Sequence, residues 1–183
     1  MANFKTAYDK TAVFEGGWVN HPNDKGKETY AGIARAFFPN WKGWDIVDSY
    51  KSKPGFPSNL PKEELAPLVE QFFKTNFWDV IRLDEITNQE IAEELYDTGV
   101  NFGHSRAIKF AQEACNLLTS NVLDIDGKIG PKTITTINEY KYPKVLFNLL
   151  NILQGEAYVE NCRKNASQEV FLRGWLTRVS ILK

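Results

Sequence analysis

Apolar positions along this chain recur mostly at three- and four-residue steps, the period of a helix with one buried face. Phe4, Ala7, Tyr8, Thr11 and Glu15 fall on one such line, which predicts a first helix running to Gly16, where glycine suits a helix end. From His21 to Glu28 the composition turns to Asn, Asp, Pro, Gly and Lys, loop or short-hairpin chemistry, before an apolar pattern resumes at Tyr30–Ala34. Two helices are thus expected to flank a polar loop. Residues 39–61, with four prolines and the glycines Gly43 and Gly55, read as turns. The stretch "PKEELAPLVEQFFKTNFWDVI" reads as a helix in which Pro67 either makes a kink or lies in the first turn.

Further along, "NQEIAEELYDTGVNFG" ends a helix at Asn101-Phe102-Gly103, and the next starts at "SRAIKFAQEACNLL" with Ser105 as its cap. Pro131 opens another helix after a glycine-rich turn, a long one spans Pro143 to Asn165, and a last one covers Ser167 to Val179. No long alternating strand pattern occurs. The fold class is therefore mostly α, with at most a small β-hairpin near residues 17–32.

With 183 residues, 43% of them hydrophobic, the chain can bury a sizeable core. Its net charge of −1 carries no basic run, which removes the electrostatic footprint of a nucleic-acid binder. No apolar run approaches a membrane span, so no membrane insertion is expected, and the N-terminal residues lack a signal-peptide core. Cys115 and Cys162 lie in apolar helical patterns and read as buried thiols, with one mutual disulfide as the alternative. Two isolated histidines, His21 and His104, lack partners at zinc-ligand spacing, so no metal and no cofactor is expected.

The chemistry concentrates before residue 30. Hydrolysing a glycosidic bond takes one carboxylic acid held protonated and a second group that directs water or attacks the sugar. Glu15, at the apolar end of the first predicted helix, is desolvated and faces the helix's partial negative charge, both of which favour the protonated form. Asp24, between Asn23 and Lys25, is expected to stay ionised. Gly16 and Gly17 leave space beside Glu15 for a sugar ring, and Thr29 offers a hydroxyl to orient water. Each residue also has a plainer reading: Glu15 as a surface turn, Asp24 as an Asx turn, Thr29 as a helix cap. Trp18, Tyr30, Asn20 and Asn101 are candidates to face a glycan, since sugars present apolar C–H faces with polar rims, although aromatics near a helix end commonly pack inward. Trp41, Trp44, Trp78 and Trp175 are assigned mainly to the core.

The stretch "FEGGWVNHPNDKGKETYAGIA" resembles the N-terminal signature of glycoside hydrolase family 108, the bacterial and phage N-acetylmuramidases. The resemblance implies a lysozyme-like fold that cleaves the β-1,4 bond between N-acetylmuramic acid and N-acetylglucosamine. It places the catalytic acid on Glu15 and the loop Asp and Thr of the pattern on Asp24 and Thr29. Where the family reads Asp-Pro-Gly-Gly-x-Thr, this chain reads Asp-Lys-Gly-Lys-Glu-Thr.

The segments "YDTGVNFGHSRAIKFAQEACN", "LDIDGKIGPKT" and "SQEVFLRGWLTRV" resemble the peptidoglycan-binding region that follows in this family. Asp126-Gly127, Gly130-Pro131 and Thr133 form a turn pattern there, which serves either to contact ligand or to orient two helices. The expected organisation is a catalytic region over 1–97 and a wall-binding helical region over 98–183, packed as one monomeric globule. The expected partner is the glycan strand of peptidoglycan. Synthesis is expected in the cytoplasm, with action at the wall after release by a holin or export by another route. A non-catalytic wall-binding module and a lytic transglycosylase using Glu15 alone are the alternatives.

Overall fold

The structure is a computed structural model, described over residues 1–11, 17–20, 27–120 and 123–179. Among these residues eight α-helices and one small antiparallel sheet form a mostly α, lysozyme-like fold. The chain divides into two compact units, one formed by Met1–Ala7 with Phe77–Lys183, the other by Tyr8–Asn76. No helix among the described residues is long and apolar enough to cross a membrane.

Helix α1 spans Phe4–Thr11. The expected continuation to Gly16 lies outside the described residues. In the Tyr8–Asn76 unit, β1 (Trp18–Asn20), β2 (Glu28–Tyr30) and β3 (Ile33–Ala34) pair in that order. The register sets Trp18 against Tyr30, Val19 against Thr29 and Asn20 against Glu28, then Thr29 against Ala34 and Tyr30 against Ile33. The β1–β2 pair falls within the small hairpin expected near residues 17–32, and the chain then turns into β3 where periodicity predicts a helix. Ala31 and Gly32 both adopt positive φ, +47° and +79°, as a tight two-residue hairpin turn demands, so the chain reverses there.

Turns alone were expected over 39–61, yet α2 (Gly43–Tyr50) forms within it. Trp44 and Val47 anchor it, buried to 2% and 0% exposure, and Trp44 Nε1 donates to the Phe38 carbonyl at 2.8 Å. Burial of such side chains, about 1.5–3 kcal/mol each, outweighs the turn-forming composition around them. Helix α3 (Lys62–Phe73) carries Glu63 and Glu64 in its first turn, where carboxylates complement the helix dipole. Pro67 lies inside α3, beyond the first turn and on the solvent side, where the carbonyl it leaves unpaired can meet water. A π-helical turn, Lys74–Trp78, follows.

In the other unit, α4 (Gln89–Phe102) is capped by Asn88, whose side chain accepts from Ile91 N, and ends at Gly103 with φ +86°. Helix α5 (His104–Leu118) begins at once, with Gly103 at its N-cap position. Ser105 is therefore inside the helix and not its cap. Pro131 opens α6 (Pro131–Glu139), Pro143 opens the 22-residue α7 (Pro143–Lys164), and α8 covers Glu169–Leu176. Phe4 meets Trp78 and Tyr96 edge-on at 5.6 and 5.8 Å in this core. Of the tryptophans assigned to the core, Trp44 and Trp78 are fully buried, whereas Trp41 and Trp175 are half-buried. Cys115 and Cys162 are both buried free thiols, and burial pushes Cys115 up to about 11.

Candidate active site

Glu15, Gly16, Asp24 and His21 lie outside the described residues, so the site is described through what flanks them. Gly17 is exposed, and a Cβ there would meet nothing within 4 Å. Asn20, at the end of β1, is exposed and paired with Glu28.

Thr29 occupies the middle of β2 between Val19 and Ala34. Strand alternation puts its side chain on the face opposite Glu28 and Tyr30, the half-solvated one, where Val19 is 52% exposed. Its hydroxyl has no hydrogen-bond partner among the described residues. Being on a strand, Thr29 cannot serve as a helix cap.

The aromatics divide between packing and anchoring. Tyr30 is buried, stacked on Trp41 with ring centroids 6.0 Å apart, so its ring belongs to the core. Trp18 is half-buried, edge-on to Phe56 at 4.7 Å, and its Nε1 donates to Glu28 Oε1 at 2.8 Å. Asn101 sits in the last turn of α4, exposed, with Nδ2 donating to the carbonyl and carboxylate of Asp97 at 2.8 and 3.1 Å. It belongs to the unit containing α4, apart from the strand residues in chain organisation.

Sequence reasoning missed the group on the other face of β2. Glu28, 8% exposed, receives Lys51 Nζ at 2.8 Å on Oε1, with Arg35 Nε 2.6 Å from Oε2. Arg35 also grips Asp48 with both terminal nitrogens, at 3.1 and 2.7 Å, and its guanidinium lies 4.2 Å from the Trp44 ring centroid. Lys51 Nζ closes the ring to Asp48 at 2.7 Å. Burial pushes the Glu28 carboxyl up, but hydrogen bonds from Lys51 and Trp18 and the charges of Arg35 and Lys51 outweigh it and hold the carboxyl low. Glu28 is thus an ionised anchor that ties the strand bearing Thr29 to α2. A strand of three residues alternates too briefly to announce an inward-facing glutamate.

A second buried acid lies in the α4 unit. Glu94, 6% exposed, is raised to about 8 by burial and by the nearby Asp97 charge, against hydrogen bonds from Thr98 and Asn151. Protonation near neutrality is what a general acid needs, yet a carboxyl enclosed in the core has no route to a polysaccharide, so Glu94 is structural.

The turn at Asp126-Gly127 is also architectural. Gln112 Nε2 donates to Asp126 Oδ1 at 2.8 Å, and Gly127 N donates to Gln112 Oε1 at 3.0 Å. A Cβ on Gly127 would collide with the Ser105 hydroxyl and come within 2.8 Å of its carbonyl oxygen. Thr133, in the first turn of α6, is buried.

Comparison with known proteins divides the chain at the α4–α5 junction, not between Asn76 and Phe77 where the compact units part. Residues 8–103 match the model of glycosyl hydrolase 108, and residues 106–180 match a model described as a predicted peptidoglycan domain. The structure of Brucella abortus SagA is similar with a TM-score of 0.68 and 24% identity, covering 97% of this chain and 89% of that one. That likeness is one of fold. No curated protein matches.

Proposed function

The chain belongs to the glycosyl hydrolase 108 family, and from that premise we propose that it is a peptidoglycan N-acetylmuramidase, cleaving the β-1,4 bond between N-acetylmuramic acid and N-acetylglucosamine. The observation that carries the reading is the Glu15-Gly16-Gly17, Asp24, Thr29 series, which falls inside the family match and has Thr29 on β2 with an uncommitted hydroxyl. Glu15 donates the proton to the leaving oxygen. Asp24 acts as base or electrostatic stabiliser, and Thr29 positions the water if the displacement inverts. Residues 98–183 supply wall binding, and the place of action is the cell wall.

Mass spectrometry of digested peptidoglycan tests the assignment, with reducing N-acetylmuramic acid ends as the expected product. Anhydro ends would replace it with a lytic transglycosylase, and binding without new ends with a wall-binding module. Glu15→Gln is expected to slow wall clearance by at least about a hundredfold. A variant that clears walls at the original rate removes Glu15 from the mechanism.

A further inference from the structure

A cavity of about 290 Å³ opens within the Tyr8–Asn76 unit, walled by Phe37, Phe38, Trp41 and Phe72 with the amides of Asn40 and Asn76. Among the described residues no charged side chain lines it. Its rings are fixed before any ligand arrives. Trp41 Nε1 donates to the Leu68 carbonyl at 3.2 Å, its ring stacks on Tyr30, and it meets Trp44 edge-on at 5.0 Å. The indole lies so close over Gly43 that a Cβ there would clash with its six-membered ring. Phe72 is 8% exposed and packs edge-on against Phe38 at 4.7 Å, whereas Phe37 stands at the rim, 64% exposed.

The two amides supply the polar ends. Asn76, in the π-helical turn after α3, donates its Nδ2 to the Phe72 carbonyl at 2.8 Å, which fixes the side chain and leaves Oδ1 to accept. Asn40 is exposed and its side chain has no hydrogen-bond partner among the described residues. A neutral pocket with aromatic walls, one fixed amide acceptor and one free amide donor matches an acetamido group: methyl against a ring, N–H to Asn76, carbonyl oxygen from Asn40. Carboxylates and phosphates would be desolvated there without a counter-charge. The volume is at the lower end for ligand sites, suited to one sugar residue and not to a strand.

We propose that this cavity is a subsite for one N-acetylated amino sugar of the glycan, on the face of the unit where Trp41 backs Tyr30. The proposal rests on the wall-hydrolase reading for its ligand class, but its test does not pass through cleavage. The full chain is titrated with the N-acetylglucosamine trimer while the indole N–H resonances of its five tryptophans are followed, Trp41 being assigned with Trp41→Phe. The Trp41 resonance is expected to move with the acetylated trimer and to stay in place with cellotriose, which lacks the acetamido group. Asn40→Ala, at an exposed position, is expected to weaken binding about three- to tenfold, the range of one or two hydrogen bonds, with circular dichroism unchanged. Equal response to cellotriose, a Trp41 resonance that the trimer never moves, or undiminished affinity of Asn40→Ala overturns the subsite. If Trp41 responds but walls are not cut, the subsite stands and the hydrolase reading falls. If walls are cut and Trp41 is silent, the reverse holds.

Discussion

Glu28 and Glu94 show nearly the same small exposed surface, 8% and 6%, but Glu94 lies much deeper among protein atoms, and depth and neighbours together drive them to opposite protonation states. Around Glu28 stand Lys51, Arg35 and the Trp18 indole, and the carboxyl is held below its ordinary range. Around Glu94 stand Thr98, Asn151 and a second carboxylate, Asp97, and burial takes the carboxyl up to about 8. The arrangement on α4 separates two acids one turn apart. Asp97 takes Arg178 and Gln154, each at 2.8 Å, and Glu94, turned into the core, keeps its proton. A small exposed surface alone therefore says little about a carboxyl's charge, and a raised carboxyl alone says little about catalysis. The same physics is what the sequence invokes for Glu15, where an apolar helix end would supply the desolvation.

Removing the Glu28 side chain is expected to cause the largest loss of stability among the variants that test this contrast. Glu28→Ala leaves the Trp18 indole without its acceptor and Arg35 and Lys51 with Asp48 alone. Because the partners are partly exposed, the expected loss is about 2–3 kcal/mol, below that of a fully enclosed pair, read as a lower urea midpoint at neutral pH. A group whose folded-state pKa is lowered contributes stability above its unfolded value and loses it as pH falls through the folded value. The variant's stability is accordingly expected to fall less steeply than wild type below about pH 4.5, the ordinary value for a glutamate. An unchanged midpoint would mean that the charges around Glu28 do not hold the sheet to α2.

Glu94→Gln is the counterpart, with little effect at and below about pH 4.5, where the acid is protonated and an amide resembles it. The native state holds a proton that the unfolded chain releases, so between about 4.5 and about 8 wild-type stability declines as pH rises. The variant has no such proton and is expected to gain on wild type across that window, the gap levelling above it. Parallel urea midpoints for the two proteins from pH 5 to 9 would show Glu94 to be ionised and the contrast unfounded. The smallest effect is expected from Lys51→Met. Lys51 is 40% exposed at its side chain, and Arg35 remains to neutralise Glu28, so the loss should stay within about 1 kcal/mol. A loss as large as that of Glu28→Ala would make Lys51 the principal partner.

How much of this was legible along the chain varies with the range of the interaction. Helices α4 and α7 begin and end, and α6 begins, close to where apolar periodicity, Gly103, Pro143 and Pro131 place them, because those signals act within a turn or two. Short elements escaped. Helix α2 hides among prolines and glycines and forms because Trp44 and Val47 find a core, and β3 with its turn reads as helix because two residues cannot display a period of two, although the β1–β2 pair falls within the hairpin expected near residues 17–32. Thr29 was legible as a candidate from its place in the motif, but its position on the half-solvated face of β2 came from strand pairing. The Glu28 group, with members from residues 18 to 51, has no local pattern at all.

The sequence by itself determined the helical class, the family and the Glu15, Asp24, Thr29 series, since each is written in residue types at short spacing. Tertiary structure alone decided which glutamate keeps a proton, that Tyr30 packs inward, and that Asn40 and Asn76 share one cavity with Trp41. The reason is physical: desolvation, charge pairing and cavity shape depend on distances through space between residues far apart in the chain, and a linear pattern carries no such distances.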